Sequence, residues 1–252
     1  MSRKRNFIAA ALTCLGCLLL LPERGGAAPP ADKPLKILIV TGGHPFDEVE
    51  FFNVFREMKN VAFDQVKFGA GAEEKFTSGA AKSYDALVFY DMNQDCSAYA
   101  DSLLDLFAAG KGAVFLHHAL GSCPDVEEYS WLVGGRARWK KAPGANLTIS
   151  KYKHDESYRA HPVTTHPIAA SMSDFDVHDE TFWNYFVNTD NDAFLTTTYP
   201  GSAKTLGWTH QYKNSKIAYL QLGHDKVAYA NPNYRRLVER MILWVTGKLP
   251  AQ

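Results

Sequence analysis

Gly112-Ala-Val-Phe-Leu-His-His-Ala-Leu-Gly-Ser122 is the stretch whose reading decides the fold. A short apolar run stops at two adjacent histidines and a turn of small residues, which is how a buried central strand reads when its carboxyl end opens into a site. In open α/β sheets, ligands bind in the crevice beyond those carboxyl ends. His117 and His118 therefore stand where chemistry is expected.

Upstream, residues 35–41 form a first apolar strand, followed by the turn Gly42-Gly43-His44-Pro45. Asp47 is placed to cap a helix carrying Val49, Phe52, Val54 and Phe55. The two glycines are explained by backbone angles that only glycine takes freely, or by bare amides that receive an anion or a sugar oxygen. A second strand is expected near 61–68, a third over 84–90 ending at Asp91, and a helix over 98–109 that Gly110 stops. Strands alternating with helices at these intervals give a parallel sheet with right-handed crossovers. Downstream, residues 129–135 end a short helix and 146–150 read as another strand. The two His-Pro pairs of 161–167 read as loop. Asp179 and Glu180 are expected on a loop after the brief alternation from Asp174. Late strands fall at 194–198 and 216–222, the second ending at Gly223-His224-Asp225. Asn231-Pro232 opens a final helix that turns Leu237, Val238, Met241, Ile242 and Trp244 inward. No internal repeat interrupts this order.

The 252-residue chain carries 27 Lys and Arg against 27 Asp and Glu. The basic residues Arg3, Lys4 and Arg5, the apolar run from Phe7 to Leu21 and the small residues Gly26-Ala-Ala28 read as a signal peptide over 1–28. That run is shorter than the roughly 20 residues of a spanning helix, so no membrane anchor is expected. A lipid anchor at Cys17 fits poorly, because the apolar run continues past it. The mature protein is then exported, periplasmic or extracellular, with a Pro-rich spacer at 29–34 and one domain at 35–248. It is mildly acidic, which argues against a nucleic-acid partner. Cys96 and Cys123 follow strands in an exported protein, so a disulfide between them is open, and spacing alone does not decide it.

His44, Asp91, His117, His118 and His224 all fall at strand exits, with Asp179 and Glu180 joining them. Two mechanisms fit. Neutral imidazoles and a carboxylate bind a divalent ion, zinc first among them; adjacent strand residues point to opposite faces, so His117 and His118 share an ion only if the chain turns between them. Alternatively, His118 or Glu180 works as a general acid or base. A dinucleotide fingerprint and a phosphate-loop lysine are both missing, so no nucleotide cofactor is expected. Cys96 and Cys123 lie off the turn that His117 occupies, and Ser122 lacks the Gly-x-Ser-x-Gly elbow, so neither nucleophile class is supported. Trp139, Trp183, Tyr185, Trp208 and Tyr229 lie in irregular segments, where flat rings suit a sugar. Ordinary packing explains such aromatics as well.

Taken in order, Gly42-Gly43-His44, Val114-Phe-Leu-His-His-Ala119, Tyr129 to Gly135 with Arg136, His166-Pro-Ile168, Asp174-Phe with Asp179-Glu180, Trp208, Gly223-His224-Asp225 and Tyr229-Ala-Asn-Pro232 resemble the ThuA-like (trehalose utilisation) family. The resemblance implies a single flavodoxin-like, three-layer α/β domain with a mostly parallel sheet, related to class I glutamine amidotransferases but without their cysteine triad. It also implies work on disaccharides or 3-keto-glycosides, and a divalent metal in some members. On this reading His117, His118, Glu180 and His224 are catalytic. His44, Asp91, Arg136, Trp139, Asp179 and Trp208 bind a small sugar substrate, and His44, His117 and His224 are the metal ligands. An oligomer is compatible with it. The rival is a carbohydrate-binding protein that uses the same crevice without turnover.

Overall fold

The computed structural model describes residues 33–69, 73–76, 78–140 and 149–250. The segment read as a signal peptide, the Pro-rich stretch through Asp32 and most of the strand expected at 146–150 lie outside the described residues, as does the triplet Asn146-Leu-Thr148, which matches a glycosylation acceptor. In chain order the elements are β1 (Leu35–Gly42), α1 (Glu48–Arg56), β2 (Val61–Lys67), α2 (Glu73–Phe76), α3 (Ser78–Ala81), β3 (Ala86–Asp91), α4 (Ala100–Ala108) and β4 (Gly112–Leu116). A 3-10 turn over His117–Gly121 leads to α5 (Glu128–Val133), β5 (Gly135–Arg136), β6 (Lys151–Pro162), β7 (Phe175–Trp183) and β8 (Phe186–Val187). The chain closes with β9 (Asp192–Thr197), β10 (Thr205–Tyr212), β11 (Ser215–Leu220), α6 (Lys226–Ala230) and α7 (Pro232–Val245).

Nine strands form one sheet in the order β2-β1-β3-β4-β11-β10-β9-β6-β7. From β2 to β11 every pairing is parallel. From β11 to β7 every pairing is antiparallel. The inner parallel strands β1, β3, β4 and β11 are buried on both faces, which is why they read as apolar runs, while β2 is a partly exposed edge. In β1, Ile37 and Ile39 join the cluster under α1 and α7, while Leu38 and Val40 join the cluster under α4 and α5. That alternation builds the three α/β/α layers. Among the described residues, no helix is long and apolar enough to cross a membrane.

Helix α7 starts as its sequence suggests, with the Asn231 side chain accepting from the Asn233 N–H and Pro232 in the first turn. Helix α1 differs. Asp47 precedes it but does not cap it, and its Oδ2 accepts from the Lys226 N–H at 3.0 Å. Val49 is 65 % exposed, the buried face being Phe51, Phe52, Val54 and Phe55. Three further corrections concern the antiparallel half. β10 gave no strand signal. β6 runs through His161 to Pro162, where a loop was expected. Asp179 and Glu180 lie inside β7, not on a loop.

Candidate active site at the carboxyl edge of the sheet

The parallel half ends where the turns begin. Gly43 has φ +75°, and a Cβ there would overlap the Met92 carbonyl, so glycine lets the turn after β1 close on the turn after β3. His44 follows directly. After β4 the chain turns at His117, which takes the left-handed φ of 49°. A non-glycine residue there is strained by about 1–2 kcal/mol. The turn places both rings on one side, with the His117 and His118 centroids 4.0 Å apart. The condition for a shared ion is thus met.

His117 is fully buried, and its Nδ1 lies 2.6 Å from the Gln221 carbonyl oxygen. A carbonyl only accepts, so Nδ1 carries a proton and Nε2 faces the cluster. That Nε2 lies 3.1 Å from Glu180 Oε2 and 3.1 Å from His224 Nδ1. Glu180 Oε2 is also 3.4 Å from His118 Nε2 and 3.4 Å from His224 Nδ1. One donor atom from each of His117, His118, Glu180 and His224 lies within 4.8 Å of the others.

Burial opposes the charge on Glu180, yet the imidazoles of His117 and His118 outweigh it and hold the carboxyl well below the usual range. For His117, burial is likewise outweighed by Glu180, so its pKa rises. Burial, then the charge of His117, drives His118 well down and His224 to about 4. At neutral pH Glu180 is therefore ionised and His118 and His224 are neutral, while His117 is the imidazole that Glu180 favours in its charged form. Glu180 Oε2 is buried and meets only imidazole nitrogens, at 3.1 and 3.4 Å. Three imidazole nitrogens around a buried carboxylate oxygen fit a divalent cation, which would displace protons held on those rings.

Asp179 ties this cluster together from the other face of β7. It accepts from the Gly223 N–H at 2.7 Å, the His224 N–H at 3.0 Å and the Glu180 N–H at 2.8 Å. Burial pushes its pKa up to about 6 despite those donors. Asp179 is a positioning residue for His224 and, though expected to bind substrate, does not line the pocket above the cluster.

A pocket of about 190 Å³ opens on the cluster. His118 and Glu180 reach it from below, Trp139 and Phe182 form a wall, and His44, Met92, Tyr152 and His154 stand around it. The His44 ring stacks on His118 at 4.0 Å, and its Nδ1 is buried without a partner. Burial, then His117, lowers its pKa. His154 Nδ1 lies 2.9 Å from Glu180 Oε1.

Of the six residues expected to bind substrate, His44 and Trp139 line this pocket, and four do not, Asp179 and three others. Trp208 is fully buried and donates from Nε1 to the Val133 carbonyl, because β10 carries it into the core. Arg136 is buried and donates to the Cys123 and Val126 carbonyls, fastening the loop after the elbow. Asp91 turns away into Ser122, whose Oγ donates to it at 2.6 Å, and burial raises its pKa to about 7. His44, expected as a ligand, stands beside the donor set and not in it, Glu180 taking that place.

His154, Tyr152, Met92 and Phe182 escaped the sequence reading. Tyr152 and His154 share one strand face at i, i+2, but the surrounding Lys151, Lys153 and Asp155 hide any apolar alternation. Cys96 and Cys123 are bonded, with Cα atoms 5.1 Å apart. The bond joins the loop that carries Met92 to the loop after the elbow.

Fold and site together define a flavodoxin-like α/β protein with an imidazole and carboxylate donor set at the strand exits. The chain belongs to the ThuA family, described as trehalose utilisation, which matches residues 36–245. This gives it a carbohydrate-related role and bears out the resemblance read from sequence. A thua-like protein from Parabacteroides merdae is similar at TM-score 0.71 and 18 % identity, over 87 % of this chain and 93 % of that one. One from Bacteroides uniformis is similar at 0.66 and 17 %, over 88 % and 95 %. A beta-galactosidase from Bacillus circulans shares the fold at 0.57 and 7 %, over 86 % of this chain but 32 % of the enzyme. No curated protein matches the sequence.

Proposed function

We propose that this protein is an exported enzyme that cleaves 3-keto-glycosides by elimination, with a divalent ion, zinc first, held by His117, His118, His224 and Glu180. The observation that carries the reading is the convergence of those four donors beneath a pocket walled by Trp139 and Phe182. When bound, such an ion supplies Lewis-acid polarisation of a carbonyl.

A ketone at C3 acidifies the C2 proton. His44, neutral at pH 7 and facing the pocket, is the base that takes it. The C2–H electron pair becomes the C1–C2 double bond and the C1–O bond breaks. The departing oxygen takes a proton from Nε2 of the His154 imidazolium, whose Nδ1–H donates to Glu180 Oε1, and both rings reset by exchange with solvent, His44 losing the proton it took and His154 regaining one. The products are an unsaturated keto sugar and an alcohol, and no water is consumed. This moves proton transfer away from His118 and Glu180, which the donor set already occupies. Export is supported by the apolar leader at 1–28 and by the bonded Cys96–Cys123 pair, since disulfides persist in oxidising compartments.

The test incubates the purified protein with 3-keto-trehalose, with and without chelator, and follows both sugar rings by NMR. Release of glucose that the chelator stops supports the proposal. Intact substrate beside measurable binding overturns it in favour of a carbohydrate-binding protein.

A further inference from the structure

We infer that the pocket takes one sugar ring, the oxidised one, and that the group leaving from C1 stays outside against Tyr152, so that terminal residues are accepted with widely varying aglycones. The inference rests on the sugar-processing reading above and specifies its substrate class. The pocket encloses about 190 Å³. Sites for drug-sized ligands begin at roughly 300 Å³, so a second ring has no room inside.

The inner end is lined by fixed groups. Glu180 and His118 are nearly inaccessible, and Phe182 is buried against both histidines of the elbow. Trp139 meets Phe182 edge-on at 5.0 Å. It sits over Gly121, where any Cβ would overlap its Nε1, so the elbow itself fixes the depth of the wall. An internal sugar, substituted on two sides, meets a dead end here.

The outer end is different. Tyr152 is 55 % exposed, and its ring meets Trp139 at 5.9 Å and His154 at 5.4 Å, both edge-on. It continues the aromatic wall outward past the polar groups. Lys151, Lys153 and Asp155 beside it are exposed, so this end of β6 has no core for a tyrosine to fill. A flat apolar face with a polar edge suits a second pyranose or an aryl group. His154 stands between the two zones, its ring 4.8 Å from that of His224 and 5.4 Å from that of Tyr152. The bond to be broken then lies at that boundary, beside His154.

The experiment uses the full protein with zinc added and three probes: methyl 3-keto-glucoside, 3-keto-trehalose, and a trisaccharide oxidised on its internal ring. Binding is read by calorimetry and turnover by NMR. Expected are binding of the first two, a preference of roughly 3- to 10-fold for the disaccharide from stacking on Tyr152, and no binding of the third. Tyr152→Ala closes the gap between the first two. The inference is overturned if the methyl glycoside fails to bind where the disaccharide binds, if the internal ring is accepted, or if Tyr152→Ala weakens both glycosides equally. The expected binding pattern without turnover overturns the enzymatic reading and leaves this one standing. Turnover without any dependence on Tyr152 does the reverse.

Discussion

The two halves of the sheet serve the same pocket by different means. In the parallel half each contributing side chain lies just past a strand end: His44 after β1, Met92 after β3, His117 and His118 after β4, His224 after β11. Their positions are set by backbone turns, with positive φ at Gly43, His117 and Gly223. In the antiparallel half the contributors lie inside strands, as the i, i+2 pairs Tyr152 and His154 in β6 and Glu180 and Phe182 in β7. Turns aim imidazoles, each needing its own orientation, while a strand delivers a carboxylate and an aromatic wall on one face. The seam between the halves is Asp179, which holds the backbone of Gly223 and His224 from within β7.

Each half can be disabled separately, and the largest effect is expected at Glu180. Glu180→Gln leaves the parallel half's imidazoles in place but removes the buried negative charge, a change of about 3–5 kcal/mol, so zinc affinity should fall by at least about 100-fold in a calorimetric titration. An unchanged affinity would show that the parallel half suffices. The disulfide lies wholly on the parallel side and closes a separation of 27 residues. Replacing Cys96 and Cys123 by serine should cost about 3 kcal/mol in urea denaturation while zinc affinity changes little.

Asp91 tests the parallel half without touching the donor set. Its folded pKa of about 7 stands above the roughly 4 of an unfolded aspartate, so the folded state holds an extra proton between those values. The contribution of Asp91 to stability is then full below about pH 4 and declines by about 3–4 kcal/mol as pH rises to 7. Asp91→Asn should flatten that slope in denaturation curves at pH 5 and 7.5, and an identical slope in both proteins would refute the assignment. At the seam, Asp179→Ala should lower zinc affinity by roughly 10- to 100-fold, since groups that orient ligands typically matter by that factor. The smallest effect is expected at Trp208. Trp208→Phe removes one hydrogen bond, about 1 kcal/mol of stability, and should leave sugar binding unaltered.

Legibility followed the same division. The inner strands of the parallel half are buried on both faces, and their apolar runs leading to Asp91, His117 and His224 could be read directly. β6 escaped because its first half is solvated on both sides, and Trp208 misled because a tryptophan between unrecognised strand residues looks the same whether it faces ligand or core. Arg136 misled for a related reason. A guanidinium can fasten loop carbonyls as readily as it can bind a substrate.

By itself, then, the sequence determined the layered α/β domain, its family, and the imidazoles at the strand exits, because a buried parallel strand advertises both its path and its end in local composition. Tertiary structure decided which groups join them. Glu180 and His154 sit in strands that come last in the hydrogen-bonded order of the sheet, beyond β9. Only the return of those strands over the elbow brings a carboxylate within 3.1 Å of His117, a contact between residues far apart in the chain that no local pattern encodes.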